Sequence, residues 1–126
     1  MKKKEILVVD DDIISQNMVK TALVNAGYSV AAASNGMEAI KLAIERLPNL
    51  IVLDIMMPDI DGGEVAEILR KDAKTMNIPI IFLSSLISTE EEKTGGKKDI
   101  ASFLSKPYNR EKLLNEVRKY LYRGNA

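Results

Sequence analysis

Carboxylates, a hydroxyl and an amine stand at the ends of apolar runs: Asp10, Asp11 and Asp12 after Ile6 to Val9, Asp54 after Leu50 to Leu53, Ser84 after Ile78 to Leu83, and Lys106 shortly after Ala101 to Leu104. Singly, most have an ordinary explanation. The aspartate triplet reads as a solvated loop capping a helix, Ser84 as a satisfied strand-end hydroxyl, and Lys106 as an exposed lysine. Asp54 is different, because a carboxylate closing a buried strand requires a partner or a purpose. Gathered at one sheet edge, three carboxylates repel one another until a proton or a hard dication relieves them. Mg2+, or Mn2+ in its place, takes oxygen ligands at about 2.0–2.1 Å and is commonly held by one or two carboxylates plus phosphate oxygens. Asp11 and Asp54 suit direct ligation, and Asp10 ligation through water. A carboxylate also attacks phosphorus to give an acyl phosphate when the charge on the transferring oxygens is offset, a part open to the dication and Lys106.

What is missing narrows the chemistry further. The chain has no cysteine and no histidine. It therefore builds no disulfide, thiol nucleophile, Ser-His-Asp site, His-ligated zinc site or phosphohistidine of its own. Phosphoryl transfer to a carboxylate depends on positioning more than on acid–base groups, so a histidine on another protein suits the role of donor.

The elements that must carry these groups alternate in type. Five short apolar runs, Ile6 to Val9, Ser29 to Ala33, Leu50 to Leu53, Ile78 to Leu83 and Ala101 to Leu104, are separated by helical segments, which predicts an α/β fold with a parallel sheet. The first, third and fourth runs are almost continuously Ile, Val and Leu, as in strands covered by helices on both faces. Helical spacing is clearest in Ile14, Met18, Ala22 and Ala26, in Met37, Ile40, Ile44 and Leu47, and in Leu113, Leu114, Val117 and Leu121, with polar faces outward. Asn35, Asp61 and Ser88 each precede a glutamate by three, an N-cap pattern. Gly27 stops the first helix, Pro48 bars the second from continuing, and Pro79 opens the fourth strand. A doubly wound sheet of this kind places its crevice at the C-terminal ends of the strands, where all the groups named above collect.

With 126 residues, 46% of them hydrophobic and 29% charged, the chain suits one compact domain spanning 1–126 with a core at about 4–122. Lys plus Arg and Asp plus Glu both number 18, which argues against nucleic acid or an anionic membrane as a direct partner. Lys2 to Lys4 and the Arg118, Lys119 and Arg123 stretch read as solvated termini. The absence of a long apolar run or signal-like start predicts a cytoplasmic protein.

The segments ILVVDDD at 6–12, LDIMMPDIDG at 53–62, FLSS at 82–85 and FLSKPY at 103–108 resemble the receiver domain of two-component response regulators. The resemblance covers essentially the whole chain and extends to the intervals, 30 residues from Asp54 to Ser84 and 22 from Ser84 to Lys106. It implies a flavodoxin-like, three-layer fold with strand order 2-1-3-4-5 and five helices. It makes Asp54 the phosphoacceptor, Asp10 and Asp11 the acidic pair at Mg2+, and the Met56 backbone carbonyl a further metal ligand. Ser84 takes the place of the hydroxyl that bonds the phosphoryl group, Lys106 that of the lysine paired with it, and Phe103 that of a switch aromatic. Lys106-Pro107 takes the place of a cis peptide. The implied partners are a sensor histidine kinase or phosphotransfer protein and a downstream protein reading the face of the fourth helix, fifth strand and fifth helix.

In the switch so implied, the phosphoryl group adds about −1.5 to −2 charge, Ser84 moves to bond it, and Phe103 turns into the vacated space. The implied role is signalling rather than turnover, limited to self-directed phosphotransfer and autodephosphorylation. Apolar Met56 and Leu86 stand at positions that tune phosphoryl lifetime in the family and predict slow decay. Between Ser88 and Ile100 the pattern weakens, since Gly95-Gly96 interrupts the fourth helix. Two other readings compete. An aspartate-nucleophile phosphatase of the haloacid-dehalogenase type calls for a second aspartate two residues after the nucleophile, where this chain has Met56. A receiver-like interaction module that is never phosphorylated would show losses among the site residues, and all of them are present.

Overall fold

The computed structural model describes residues 3–84, 101–105 and 109–122. Strands and helices alternate as β1 Glu5–Val9, α1 Ile13–Asn25, β2 Ser29–Ala33, α2 Gly36–Arg46, β3 Leu50–Asp54, α3 Gly62–Lys71, β4 Ile80–Ser84, β5 Ala101–Ser105 and α4 Arg110–Tyr122. The strands form one parallel sheet in the order β2-β1-β3-β4-β5, the order implied by the resemblance. Four helices are found among the described residues; α4 is the last of the five expected. The position expected for the remaining one, Ser88 to Ile100, lies outside the described residues.

Period-two alternation divides each strand between two cores. On one face Leu7, Val9, Ile51, Leu53, Ile80 and Phe82 meet Ala39 and Ala43 of α2 and Val65, Ala66 and Leu69 of α3. On the other, Ile6, Val8, Leu50, Val52, Ile81 and Leu83 meet Val19 and Leu23 of α1 and Leu113 and Val117 of α4. Burying each large side chain here stabilises the fold by roughly 1.5–3 kcal/mol. The outcome is three layers with β3 in the middle, sealed on both sides.

The helix ends follow local chemistry. Asp12 caps α1 by accepting from Ile14 N–H, Asn35 caps α2 by accepting from Glu38 N–H, and Asp61 caps α3 by accepting from Glu64 N–H. Glu38 reaches back to the Ser34 N–H at 2.8 Å, completing a box around the start of α2. Gly27 ends the first helix with φ of 101°, a conformation most residues avoid.

Three sequence readings need correction. Pro79 stands just before β4, which starts at Ile80, and its carbonyl accepts from Ile51 N–H at 3.0 Å. In α1 the Ile14 and Met18 stripe faces water, 68% and 69% exposed, and the buried face is Gln16, Val19 and Leu23. The buried face of α2 is Gly36, Ala39 and Ala43, while Met37 and Leu47 are exposed and Ile40 and Ile44 are half-buried. In α2 small residues allow close approach to the sheet and the larger side chains fall to the flank or outside, whereas α1 buries Val19 and Leu23 beside Gln16, whose side chain hydrogen-bonds backbone oxygens at the strand ends.

Candidate functional site

The register sets the site. Val9 lies opposite both Ala33 and Leu53, and Asp54 lies opposite Leu83, so the strands finish at nearly the same level. Asp10 follows β1 immediately and Asp54 is the last residue of β3; they are 2% and 8% exposed, whereas Asp11 is exposed. One carboxylate oxygen from each of Asp10, Asp11 and Asp54 falls within a group whose members lie within 4.8 Å of one another. The sequence placed these three acids at one sheet edge, and the structure brings them together.

Backbone and side-chain bonds hold this group in place. Asp10 Oδ1 accepts from Asp12 N–H at 2.9 Å, and the Asp10 N–H donates to the Ala33 carbonyl at 3.1 Å. Asp54 Oδ1 receives the Met56 N–H at a long 3.4 Å. Behind Asp54, the Gly62 N–H donates to the Ile55 carbonyl at 2.8 Å, folding the loop from 55 to 61 back upon the strand end. Asp11, Ile55, Met56, Met57, Pro58 and Asp61 line an open cleft beside the acids. Three hard oxygen donors, two of them largely withdrawn from water, make a donor set matched to Mg2+ or Mn2+ rather than to a soft metal.

Other expected residues are placed as follows. Ser84 ends β4 in register with Ser105 of β5. Phe103 pairs with Phe82 across β4 and β5, their rings stacked with centroids 5.1 Å apart and planes 24° apart. Lys106, Pro107 and Leu86 lie outside the described residues.

Two residues that support the site have no counterpart in the sequence reading. Gln16, 5% exposed, directs Nε2 toward the Asp10 carbonyl at 3.1 Å, the Ala33 carbonyl at 2.9 Å and Ser34 Oγ at 3.4 Å. Asp59 accepts from the Gly36 and Met37 N–H groups, both at 2.9 Å, and these bonds, Gly36 first, hold its carboxyl below the usual carboxylate range. No sequence signal marks Gln16, because the apolar stripe of Ile14, Met18 and Ala22 puts it on the face read as polar. Nothing in the spacing of Asp59 from Gly36 marks that pair.

The response regulator receiver domain is the family whose sequence model matches this chain, over residues 6–118. The chain belongs to that family. The DNA-binding dual master transcriptional regulator RpaA of Synechocystis is 36% identical to this receiver domain over 118 residues, 94% of this chain and 49% of the relative. The chemotaxis protein CheY4 of Vibrio cholerae is 32% identical, with a TM-score of 0.87 and coverage of 95% and 100% of the two chains. The receiver domain of the Francisella response regulator 1452 is 34% identical, with a TM-score of 0.86 over 96% and 98%. The chain spans about half the length of the curated relatives it matches. Among the described residues, no helix is long and apolar enough to cross a membrane.

Proposed function

We propose that this receiver domain, filling 1–126 around a core at about 4–122, accepts a phosphoryl group on Asp54 from the phosphohistidine of a sensor kinase or phosphotransfer protein. An Asp54 oxygen forms the new bond to phosphorus as the phosphorus–nitrogen bond breaks; the imidazole leaves with that electron pair and takes a proton. The single observation that carries this reading is the convergence of the Asp10, Asp11 and Asp54 carboxylates within 4.8 Å, with Asp54 only 8% exposed.

Asp10, Asp11, Asp54 and the Met56 carbonyl would hold Mg2+ or Mn2+, which supplies positive charge beside the transferring oxygens. Asp54 attacks, and the strand ends fix its orientation. Lys106 pairs with the phosphoryl oxygens and Ser84 bonds them. Phe103 leaves its place beside Phe82 as Ser84 moves, altering the face of the expected fourth helix, β5 and α4 (the expected fifth) that a downstream protein reads. Apart from accepting the group, the chain performs only its own dephosphorylation, slowed by apolar Met56 and Leu86. A cytoplasmic location is part of this reading, and the balanced charge supports a role without direct contact to nucleic acid or membrane.

Acetyl phosphate with Mg2+ tests the reading by intact mass. Wild type gains one phosphoryl group, and Asp54→Asn gains none. Release of inorganic phosphate without an adduct supports an aspartate phosphatase instead, and an inert protein supports an interaction module.

A further inference from the structure

The loop that leaves Asp54 is seated on a helix outside the acidic cluster. Asp59 Oδ1 accepts from Gly36 N–H and Oδ2 from Met37 N–H, the first two amides of α2. These donors have no partner within the helix, and a carboxylate there also meets the positive end of the helix dipole. Beside this bond Ile60 fills the space that Gly36 leaves open. A Cβ at position 36 would stand 2.4 Å from Ile60 Cγ1 and 3.1 Å from the Ile60 carbonyl oxygen.

The opposite side of the same turn is tied to the other half of the cluster. Gln16 Nε2 spans the Asp10 carbonyl, the Ala33 carbonyl and Ser34 Oγ. Residues 34–37 therefore stand between two arms: Gln16 leads to Asp10, and Asp59 leads to the loop carrying Met56. An ordinary helix cap does not account for this. Asn35 and Glu38 already complete the local capping arrangement of α2, and the Asp59 bonds bridge 22 and 23 residues. Their consequence is to add a polar anchor in the middle of a loop whose other ties are the Met56 N–H on Asp54, the Gly62 N–H on the Ile55 carbonyl, the Asp61 cap and the packing of Met57 and Ile60 against the core.

We propose that Asp59 is a positioning residue for the cation site, setting where the Met56 carbonyl stands relative to Asp10, Asp11 and Asp54 by anchoring the loop to α2. The proposal rests on the function proposed above. Breaking the anchor frees the loop and spreads the oxygen donors over several arrangements. The cost appears in cation affinity first, while transfer with the cation bound proceeds as before.

Calorimetric Mg2+ titration of the full chain, together with thermal unfolding in EDTA, tests this. Asp59→Ala binds Mg2+ about tenfold more weakly, as is typical when support behind metal ligands is removed. Asp59→Asn, keeping one acceptor oxygen, falls between. Gly36→Ala, which displaces Ile60 without altering any carboxylate, weakens Mg2+ binding in the same direction. With acetyl phosphate, the Mg2+ concentration giving half-maximal phosphorylation of Asp59→Ala rises and the plateau rate stays close to wild type. An Asp59→Ala protein that melts lower in EDTA yet keeps the wild-type Mg2+ affinity would overturn the proposal, leaving Asp59 a helix cap; should that variant not fold, the Asp59→Asn titration decides in the same way. If wild type itself neither binds Mg2+ nor gains a phosphoryl group, the proposed function fails and this inference with it.

Discussion

Gly62 stands directly behind the Asp54 carbonyl: a Cβ at position 62 would lie 2.7 Å from that oxygen and 2.9 Å from the Ile55 Cα. Both neighbours are backbone at the end of a buried strand and have no rotamer by which to yield. Gly62→Ala should destabilise the fold by about 1–3 kcal/mol, the usual range for overpacking. Gly63→Ala is the control, since among the described residues its Cβ meets only the Asp61 side-chain oxygen, at 3.2 Å. Urea unfolding of both variants checks this, and equal midpoints would refute it.

The outward face of α1 makes a second prediction. Ile14 and Met18 look like core residues by spacing, yet both face water, and Val19 and Leu23 carry the packing. Ile14→Gln and Met18→Gln should each change stability by no more than about 0.5 kcal/mol. Leu23→Ala should cost about 2–5 kcal/mol, the range for a truncated core leucine. A large loss from either glutamine variant would return the stripe to the core.

Much of the fold was legible because the strands carry their own signal. Ile6 to Val9 and Leu50 to Leu53 are continuous apolar runs, and a strand buried on both faces leaves no room for polar alternation. The acids at 10, 11 and 54 were legible for the same reason, as breaks where those runs end. Helix facing was harder to read. In α1 the buried face is Val19, Leu23 and Gln16, whose Nε2 bonds backbone and side-chain oxygens, while the longer apolar stripe from Ile14 to Ala26 points to a different face; in α2 burial falls on Ala39 and Ala43, whose value is small size, to which apolar periodicity gives little weight. Asp59 was hidden altogether, because its bonds to Gly36 and Met37 exist only once β2 and β3 flank β1.

Tyr28 gives a pH prediction. Burial is the largest cause holding its hydroxyl above the ordinary value of 10.0, followed by the charge and hydrogen bond of Tyr122, against the opposing effect of Arg118. The folded state therefore keeps the proton longer than the unfolded chain does. This stabilisation is fully present below about pH 10 and is lost as pH rises through the folded value. Tyr28→Phe cannot ionise, so its urea midpoint should fall less steeply than that of wild type between neutral pH and about pH 11. Parallel curves would remove Tyr28 from the account of alkaline unfolding.

The acidic cluster should set stability against function. Three carboxylates within 4.8 Å, two of them buried, repel one another whenever no cation is bound. Removing one charge while keeping the shape relieves this, so Asp54→Asn and Asp10→Asn should melt at higher temperature than wild type in EDTA. Asparagine at 10 also retains an oxygen for the Asp12 N–H. Added Mg2+ reverses the ranking for Asp10→Asn, because a ligand that binds only the folded state at ten times its dissociation constant stabilises it by about 1.4 kcal/mol. Wild type should gain that increment and Asp10→Asn little of it. Thermal unfolding of the three proteins, with EDTA and then with Mg2+, checks both halves; identical melting temperatures in EDTA and equal gains from Mg2+ would mean that the carboxylates neither repel appreciably nor share a cation.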